Sequence, residues 1–222
     1  MSDNTATSGI FHSRRQAMVR HQIEARGIRA EPVLRAMSRV PREAFLPESL
    51  RESAYEDSPL PIDERQTISQ PYIVAFMTDA LQLGGGERVL EVGTGSGYAA
   101  AILAEIAAEV YTVERLESLA RQSRALLQQL GYRNIRVIHG DGTRGWPEAA
   151  PYDAIVVAAG GPVVPDSLKD QLAVGGRLVI PVGDNFVQTL VRVTRLSEAD
   201  YREEQLTGVR FVPLVGEEGW RE

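Results

Sequence analysis

The strongest structural signal in this chain lies at residues 91–98, which are Glu91-Val92-Gly93-Thr94-Gly95-Ser96-Gly97-Tyr98. Three glycines at alternate positions let a backbone turn tightly and approach a ligand without interference from Cβ atoms. A helix that begins directly after them offers unpaired N–H groups at its N-terminus. The stretch therefore predicts a strand, a ligand-binding loop and a helix. The alternative for a bare glycine triplet is an ordinary strand-to-helix turn.

Strands and helices alternate from residue 84 onward. The run at 154–159 is continuously apolar, as parallel strands buried on both faces tend to be. This alternation predicts an α/β fold with a doubly wound, mostly parallel sheet, in which ligands bind beyond the carboxyl ends of the strands. The predicted strands are 88–92, 110–113, 134–139, 154–159, 177–181, 188–194 and 209–212, and the helices between them are 98–107, 116–130 and 166–172.

Residues 13–83 lack this alternation. Apolar residues recur at helical spacing over residues 33–40, and Pro71 opens another helix with one apolar face. We expect an N-terminal helical cap and a loop that belong to the same domain as an α/β core over residues 84–222, and we expect the C-terminal strands of this core to be antiparallel. Residues 1–9 are polar, and we expect residues 1–12 to form a disordered tail.

Composition excludes several classes of function. A length of 222 residues favours one domain, and the absence of cysteine excludes disulfides, thiolate nucleophiles and cysteine-ligated metals, so that no metal is expected. The net charge is −6 and the basic residues form no cluster, so nucleic acid and membranes are not expected partners. No signal-peptide core is recognisable at the N-terminus. We expect a cytoplasmic protein and favour a monomer.

Acidic residues follow the second and third predicted strands. Glu114 stands 23 residues beyond Glu91, at the tip of the second strand, where it can accept hydrogen bonds from a ribose diol. Asp141, in Gly140-Asp141-Gly142, can accept from an adenine amino group. Each has a plainer interpretation, Glu114 as an acid at a helix N-terminus and Asp141 as part of an Asp-Gly turn. Together with the glycine loop they predict a nucleoside pocket.

The glycine spacing narrows the choice of nucleoside. A dinucleotide loop has G-x-G-x-x-G, whereas this chain has G-x-G-x-G, and its single lysine, Lys169, is not near a glycine loop. A dehydrogenase pair of the Tyr-x-x-x-Lys type is absent, because Pro165 stands four residues before Lys169. The E-x-G-x-G-x-G pattern with an acidic second strand resembles the class I methyltransferases. That resemblance implies a Rossmann-like methyltransferase fold and S-adenosyl-L-methionine as the cofactor.

A narrower resemblance covers most of the chain. The most specific segments are Thr67-Ile68-Ser69 and Gly175–Gly183, and the chain resembles the protein-L-isoaspartate O-methyltransferase family. Two stretches depart from the family pattern: Asp63-Glu64-Arg65 stands where glycines are common, and residues 159–162 differ in detail. The segments that carry the resemblance are residues 18–23, 40–45, 66–71, 89–98, 141–142, 150–155, 175–183 and 209–214.

The resemblance implies roles for particular residues. Ser69 takes the role of the active-site serine, which also contacts the substrate, and Gln188 lies near the substrate. From the residues alone, Ser69 has a second interpretation as a loop serine that caps the helix at Pro71. The residues implied to bind S-adenosylmethionine are Thr67, Ile68, Glu91, Gly93, Thr94, Gly95, Gly97, Glu114, Arg115, Asp141 and Gly142.

The implied reaction is methyl transfer from S-adenosylmethionine to the free α-carboxylate of L-isoaspartyl residues in damaged proteins or peptides, which starts their repair. Such a carboxylate is already ionised at pH 7, so no general base is required. Two alternatives stay open. One is a class I methyltransferase that acts on another carboxylate, in a small molecule or a biosynthetic peptide, and the altered stretch Asp63-Glu64-Arg65 permits it. The other is a module that binds the nucleoside without turnover.

Overall fold

The computed structural model describes residues 2–221. Its helices are α1 (Ser2–Met18), α2 (Glu31–Arg39), α3 (Pro71–Leu81), α4 (Tyr98–Ala104), α5 (Glu117–Gln129) and α6 (Asp166–Asp170). Its strands are β1 (Leu60–Pro61), β2 (Thr67–Ile68), β3 (Arg88–Val92), β4 (Glu109–Glu114), β5 (Ile135–His139), β6 (Tyr152–Val157), β7 (Leu172–Gly183), β8 (Gln188–Arg195) and β9 (Tyr201–Val209). A π-helical turn follows α1 at Val19–Ile23, and short 3₁₀ turns lie at Glu24–Arg26, Arg42–Phe45, Glu48–Ser53, Asp63–Arg65, Gly142–Arg144 and Pro147–Ala149.

Seven strands form one sheet in the order β5-β4-β3-β6-β7-β8-β9. Strands β5, β4, β3, β6 and β7 are parallel, and β8 and β9 are antiparallel to their neighbours. The predicted mostly parallel α/β sheet with antiparallel C-terminal strands is therefore confirmed. The strand order reverses between β3 and β6, and a crevice opens at such a point beyond the carboxyl ends of the strands.

Apolar side chains pack on both faces of the sheet, because successive residues of a strand point to opposite faces. Val89 of β3 belongs to a core cluster with Met77 and Leu81 of α3. Leu90, the next residue, belongs to a cluster with Leu168 of α6. Both faces of β3 are thus buried, as is usual for a central strand of a parallel sheet. Within residues 2–221, no helix combines the length and the apolar character needed to cross a membrane.

The N-terminal cap packs on α4, the helix that follows the glycine loop. Ile23 and Met37 of the cap share a core cluster with Tyr98, the first residue of α4. Arg42 is fully buried beside them, where its Nε donates to the Ala54 carbonyl oxygen at 2.8 Å and its guanidinium lies 4.9 Å from the Tyr98 ring centroid. Burial lowers the pKa of Arg42. These contacts fix the position of α4 and of the loop before it.

The N-terminal segment differs from its prediction. A disordered tail was expected over residues 1–12, yet α1 begins at Ser2; Met1 lies outside the described residues. Tertiary contacts hold the helix: the Phe11 ring is buried 6.5 Å from the Tyr55 ring, and Arg14 pairs with Glu52 at 2.7 Å. The sequence of α1 carries no sign of these partners, because they lie some 40 residues further along the chain.

The last strand also differs from its prediction. The sequence predicts a strand at 209–212, but β9 ends at Val209. Its pairing with β8 includes an ion pair between Arg192 and Glu204 at 3.0 Å. The residues after Val209 leave the sheet, and the Gly160 N–H donates to the Val212 carbonyl oxygen at 2.8 Å. The predicted apolar run therefore crosses the ends of the strands instead of extending the sheet.

Candidate active site

A cavity of about 280 Å³, here called the cofactor cavity, opens at the carboxyl ends of β3 and β4. It lies where the strand order reverses, and it brings together segments that are far apart in the sequence. Most of its wall is formed by residues 66–69, 92–96, 113–116 and 212–215, with Val74, Tyr98, Ala99, Gly142, Ala158 and Ala159.

The glycine loop adopts a conformation that requires glycine. Gly93, Gly95 and Gly97 have φ angles of 93°, 51° and 89°, in the left-handed region that other residues rarely adopt. A Cβ atom on Gly97 would lie 3.2 Å from Leu127 Cδ1 of α5. Gly93, Thr94 and Gly95 line the cofactor cavity, whereas Gly97 lies behind them at the start of α4. The loop thus presents its backbone to a ligand, as the spacing predicts.

Glu114 ends β4 and lines the cofactor cavity. Its side chain is buried, with a residue exposure of 7%. The Gly95 N–H donates to its Oε2 at 2.9 Å, and the Leu116 N–H donates to its Oε1 at 3.0 Å. An ionised carboxylate offers about four lone-pair sites, so it can still accept from a ligand diol. Glu114 both holds the loop and supplies acceptors to the cavity.

Glu91 lies behind the loop and does not line the cavity. Thr112 Oγ1 lies 2.6 Å from Glu91 Oε2 and 2.6 Å from Thr94 Oγ1, and Thr94 reaches the cavity. Glu91 Oε1 has no hydrogen-bond partner in residues 2–221. Complete burial, together with the negative charge of Glu114, raises the pKa of Glu91 to about 8. Glu91 is therefore protonated at neutral pH, and this predicted cofactor residue reaches the cavity only through the two threonines.

Asp141 has a different set of partners from those that its sequence position predicts. Its Oδ1 accepts from the Thr143 N–H at 2.9 Å and from the Thr143 hydroxyl at 2.7 Å, and its Oδ2 accepts from the Glu217 N–H at 2.8 Å. Burial opposes ionisation, but these hydrogen bonds outweigh it and lower the pKa of Asp141. Asp141 does not line the cavity, whereas its neighbour Gly142 does. A Cβ atom on Gly142 would lie 2.4 Å from Val92 Cγ1, so glycine is required.

The segment that Asp141 binds crosses the strand ends as a strap, defined as residues 210–220. The Leu214 N–H and the Trp220 Nε1–H both donate to the Gly160 carbonyl oxygen, at 2.8 and 2.9 Å. Residues 212–215 of the strap form one wall of the cofactor cavity. The sequence did not indicate this wall. Gly216 is a residue that could have indicated it, because the strap passes so close to Asp141 that a Cβ atom there would lie 2.1 Å from Asp141 Oδ1.

Ser69 precedes α3 and lines the cofactor cavity. The N-cap residue of α3 is Gln70, and no side chain caps that helix. The interpretation of Ser69 as a helix cap is therefore wrong. The Ser69 hydroxyl makes no hydrogen bond within residues 2–221, so it is available to a ligand. Thr67 and Ile68, which form β2, line the cavity beside it.

The stretch Asp63-Glu64-Arg65 keeps the backbone shape that glycine favours. Glu64 and Arg65 both have φ angles of 57°, although a left-handed conformation costs such residues about 1–2 kcal/mol each. Side-chain bonds to α5 offset this cost. The Ser118 hydroxyl donates to Glu64 Oε1 at 2.7 Å, and Gln122 Nε2 donates to Asp63 Oδ2 at 3.2 Å. The stretch therefore adopts backbone angles that glycine would favour, and its side chains attach it to α5.

A second cavity of about 560 Å³, here called the acceptor cleft, shares part of its wall with the cofactor cavity. The shared residues are Thr67, Ser69, Ala158 and Val212, so Ser69 lies at the junction of the two. The remaining wall consists of Pro59, Gln70, Ile73, Phe186, Val187, Gly208, Val209, Arg210 and Phe211.

Gln188 lines neither cavity, although the resemblance implies a place near the substrate. Its exposure is 2%. The Phe211 N–H donates to its Oε1 at 2.8 Å, and its Nε2 donates to the Asp184 carbonyl oxygen at 2.5 Å. A Cβ atom on Gly160 would lie 2.9 Å from its Cδ, so the amide is closely packed. Gln188 thus connects two walls of the acceptor cleft from behind.

Comparison with protein families gives one match over most of the chain. The model of the family described as protein-L-isoaspartate(D-aspartate) O-methyltransferase matches residues 13–219. Protein-L-isoaspartate O-methyltransferase 2 of Pelobacter propionicus is 64% identical over 208 residues, which cover 93% of this chain and 92% of the relative. Protein-L-isoaspartate O-methyltransferase 1 of Rhodopseudomonas palustris is 65% identical over 211 residues, which cover 95% of this chain and 86% of the relative.

Solved structures of similar proteins have the same architecture. A protein-L-isoaspartate O-methyltransferase superposes with a TM-score of 0.84 at 29% identity, over 92% of this chain and 67% of that chain. A protein from Plasmodium falciparum described as a putative member of the same enzyme class, in complex with S-adenosyl-L-homocysteine, superposes with a TM-score of 0.77 at 26% identity. That match covers 90% of this chain and 98% of the other.

Proposed function

This chain belongs to the protein-L-isoaspartate(D-aspartate) O-methyltransferase family, and from that membership we propose that it methylates the free α-carboxylate of L-isoaspartyl residues in damaged proteins or peptides. It is an S-adenosylmethionine-dependent O-methyltransferase. The observation that carries the proposal is the junction of two cavities at Ser69, one built for a nucleoside and one open to an acceptor. A cytoplasmic location fits the absence of cysteine, since thiol-free chains need no oxidising compartment.

The cofactor cavity suits S-adenosylmethionine, which supplies a methyl group on a sulfonium cation. Glu114 would accept from the ribose hydroxyls, because its carboxylate lines the cavity at the end of β4. The backbone of Gly93 and Gly95 would hold the methionine part. Gly142 would lie on the adenine side, and Asp141 would act there by anchoring the strap. Arg115 also lines this cavity and would take part in binding.

Ser69 positions the acceptor. A carboxylate with a pKa near ~4 is ionised at pH 7, so no enzyme base has to remove a proton. The Ser69 hydroxyl has no protein partner in residues 2–221, and it can donate to one carboxylate oxygen at the junction of the cavities. Holding the two reacting groups in line supplies much of the rate enhancement. The apolar side chains of Ile68, Val212 and Leu214 line the cofactor cavity and would leave little room for water beside a bound ligand.

The two alternatives from the sequence lose most of their support. The unusual stretch Asp63-Glu64-Arg65 suggested another acceptor, yet its left-handed backbone is the shape that glycines would give. A module that only binds the nucleoside has no use for an unbonded hydroxyl at the junction of two cavities. Methylation of an isoaspartyl carboxylate is therefore the function that the site supports best.

A methyl-transfer assay tests this function. A synthetic peptide with one L-isoaspartyl residue and its twin with ordinary aspartate are each incubated with the chain and S-adenosylmethionine, and S-adenosylhomocysteine is measured. We expect turnover with the isoaspartyl peptide and none above background with its twin. Equal turnover of both, or turnover only with small carboxylic acids, would contradict the proposal.

A further inference from the structure

Arg210 is the one charged side chain among the described residues that line the acceptor cleft. It follows β9 at the start of the strap and is exposed. It makes no hydrogen bond or ion pair to any part of the chain that the structure describes. The protein as a whole carries a net charge of −6, so this guanidinium is a local positive charge on a negative protein.

A second part of the cleft wall is apolar and is held by hydrogen bonds. The turn between β7 and β8 presents Phe186 and Val187, which are 73% and 68% exposed. Asp184 Oδ1 accepts from the N–H groups of both residues, at 2.7 Å each. Large apolar side chains held this far out of the core are typical of a surface that contacts another molecule.

Gln188 holds this turn and the strap in one arrangement. Its amide bonds the Asp184 carbonyl oxygen on one side and the Phe211 N–H on the other. Phe211 follows Arg210 directly, so the backbone beside the guanidinium is fixed with respect to the apolar turn. The cleft is therefore a preformed site with one apolar wall and one positive charge.

The location of Arg210 indicates which part of a substrate it meets. The reacting carboxylate has to lie at the wall shared by both cavities, beside Ser69, whereas Arg210 lines only the acceptor cleft. We propose that Arg210 is a specificity-determining residue that binds a second carboxylate, carried by an acidic residue close to the isoaspartate in the substrate chain. This inference rests on the proposed function. Fixed charges of this kind select partners more than they add affinity.

Paired peptides test the proposal with the full-length chain. Each peptide has one isoaspartyl residue. In each pair, one of the two positions on either side of that residue is Glu in one peptide and Gln in its twin, and the rest of the sequence is identical. KM and kcat are measured for the wild type, for Arg210→Gln and for Arg202→Gln. Arg202 is a matched control, because it is an exposed arginine at the opposite end of β9 and lines neither cavity.

We expect the wild type and Arg202→Gln to have a KM about 1.5- to 5-fold lower for the best Glu peptide than for its Gln twin, the range typical of an exposed ion pair. For each of these proteins kcat should be the same with both peptides, and the preference for the Glu peptide should shrink at high salt. In Arg210→Gln the two peptides should have equal KM values. Equal KM values in the wild type, or an undiminished preference in Arg210→Gln, would overturn the inference while leaving the proposed function intact. Failure to methylate any isoaspartyl peptide would refute the function and the inference together.

Discussion

Replacing Glu114 with glutamine should weaken cofactor binding. The Glu114 carboxylate is 7% exposed and accepts N–H bonds from Gly95 and Leu116 at 2.9 and 3.0 Å. Glutamine keeps the shape but has one oxygen instead of two, so in either orientation of the amide its NH₂ group faces one of these N–H groups. In either arrangement the ribose hydroxyls lose acceptors that carry a full negative charge.

The expected loss of binding free energy is that of one hydrogen bond to a charged group, about 1.5–3 kcal/mol. At about 1.4 kcal/mol per tenfold change, the dissociation constant for S-adenosylhomocysteine should rise about 10- to 150-fold. Isothermal titration calorimetry measures it directly. Glu117→Gln is the control, because Glu117 is an exposed acid in the first turn of α5 that does not line the cavity. The affinity of this variant for S-adenosylhomocysteine should equal that of the wild type.

A ligand analogue separates a ribose contact from a disturbed loop. The 2′-deoxy form of S-adenosylhomocysteine should bind the wild type more weakly than the normal ligand does. In Glu114→Gln that difference should largely disappear, because the hydroxyl has already lost its acceptor. Unchanged affinity of the variant, or an undiminished penalty for the 2′-deoxy ligand, would refute the assignment of Glu114 to the ribose.

Three further substitutions test the other assignments. Ser69→Ala should lower kcat about 10- to 150-fold through one lost bond to a carboxylate, with S-adenosylhomocysteine affinity and melting temperature unchanged; a normal rate with a lower melting temperature would contradict a positioning role. Asp141→Asn sets an amide NH₂ against the Glu217 N–H, so the free energy of unfolding measured in urea should fall by about 1–3 kcal/mol. The same change at Asp166, whose side chain is 83% exposed, should have little effect on that free energy. Glu91 has its pKa raised to about 8, so the folded wild type holds a proton that the unfolded chain releases, and its stability should fall as the pH rises from about 5 to 8. Glu91→Gln should remove that part of the decline, and parallel stability curves for the two proteins would show that Glu91 does not titrate in this range.

The parts of the site that the sequence predicts well depend on local spacing. The glycine loop and Glu114 follow consecutive strands of a βαβ unit, and parallel strands bring their carboxyl ends to one edge of the sheet. Short-range pattern and topology therefore suffice to place them at the cofactor cavity. The same reasoning places Gly142 there, because it follows the third strand of the unit.

The parts that the sequence does not predict depend on contacts between distant residues. Asp141 is bound by the N–H of Glu217, which lies 76 residues later, so its strand-end position alone gives no sign of the strap. Gln188 is a buried brace because Asp184 and Phe211 lie on either side of its amide. Helix α1 packs on the cap through the Phe11 ring and the Arg14–Glu52 pair. No periodicity in the sequence reports such pairings.

The most direct test of the account is a crystal structure with S-adenosylhomocysteine and an isoaspartyl peptide bound together. The nucleoside should lie in the cofactor cavity, with its ribose at Glu114, and the peptide should lie in the acceptor cleft. The α-carboxylate of the isoaspartyl residue should accept a hydrogen bond from the Ser69 hydroxyl, with one oxygen directed at the ligand sulfur. A peptide carboxylate bound away from Ser69, or a nucleoside outside the crevice between β3 and β6, would contradict it.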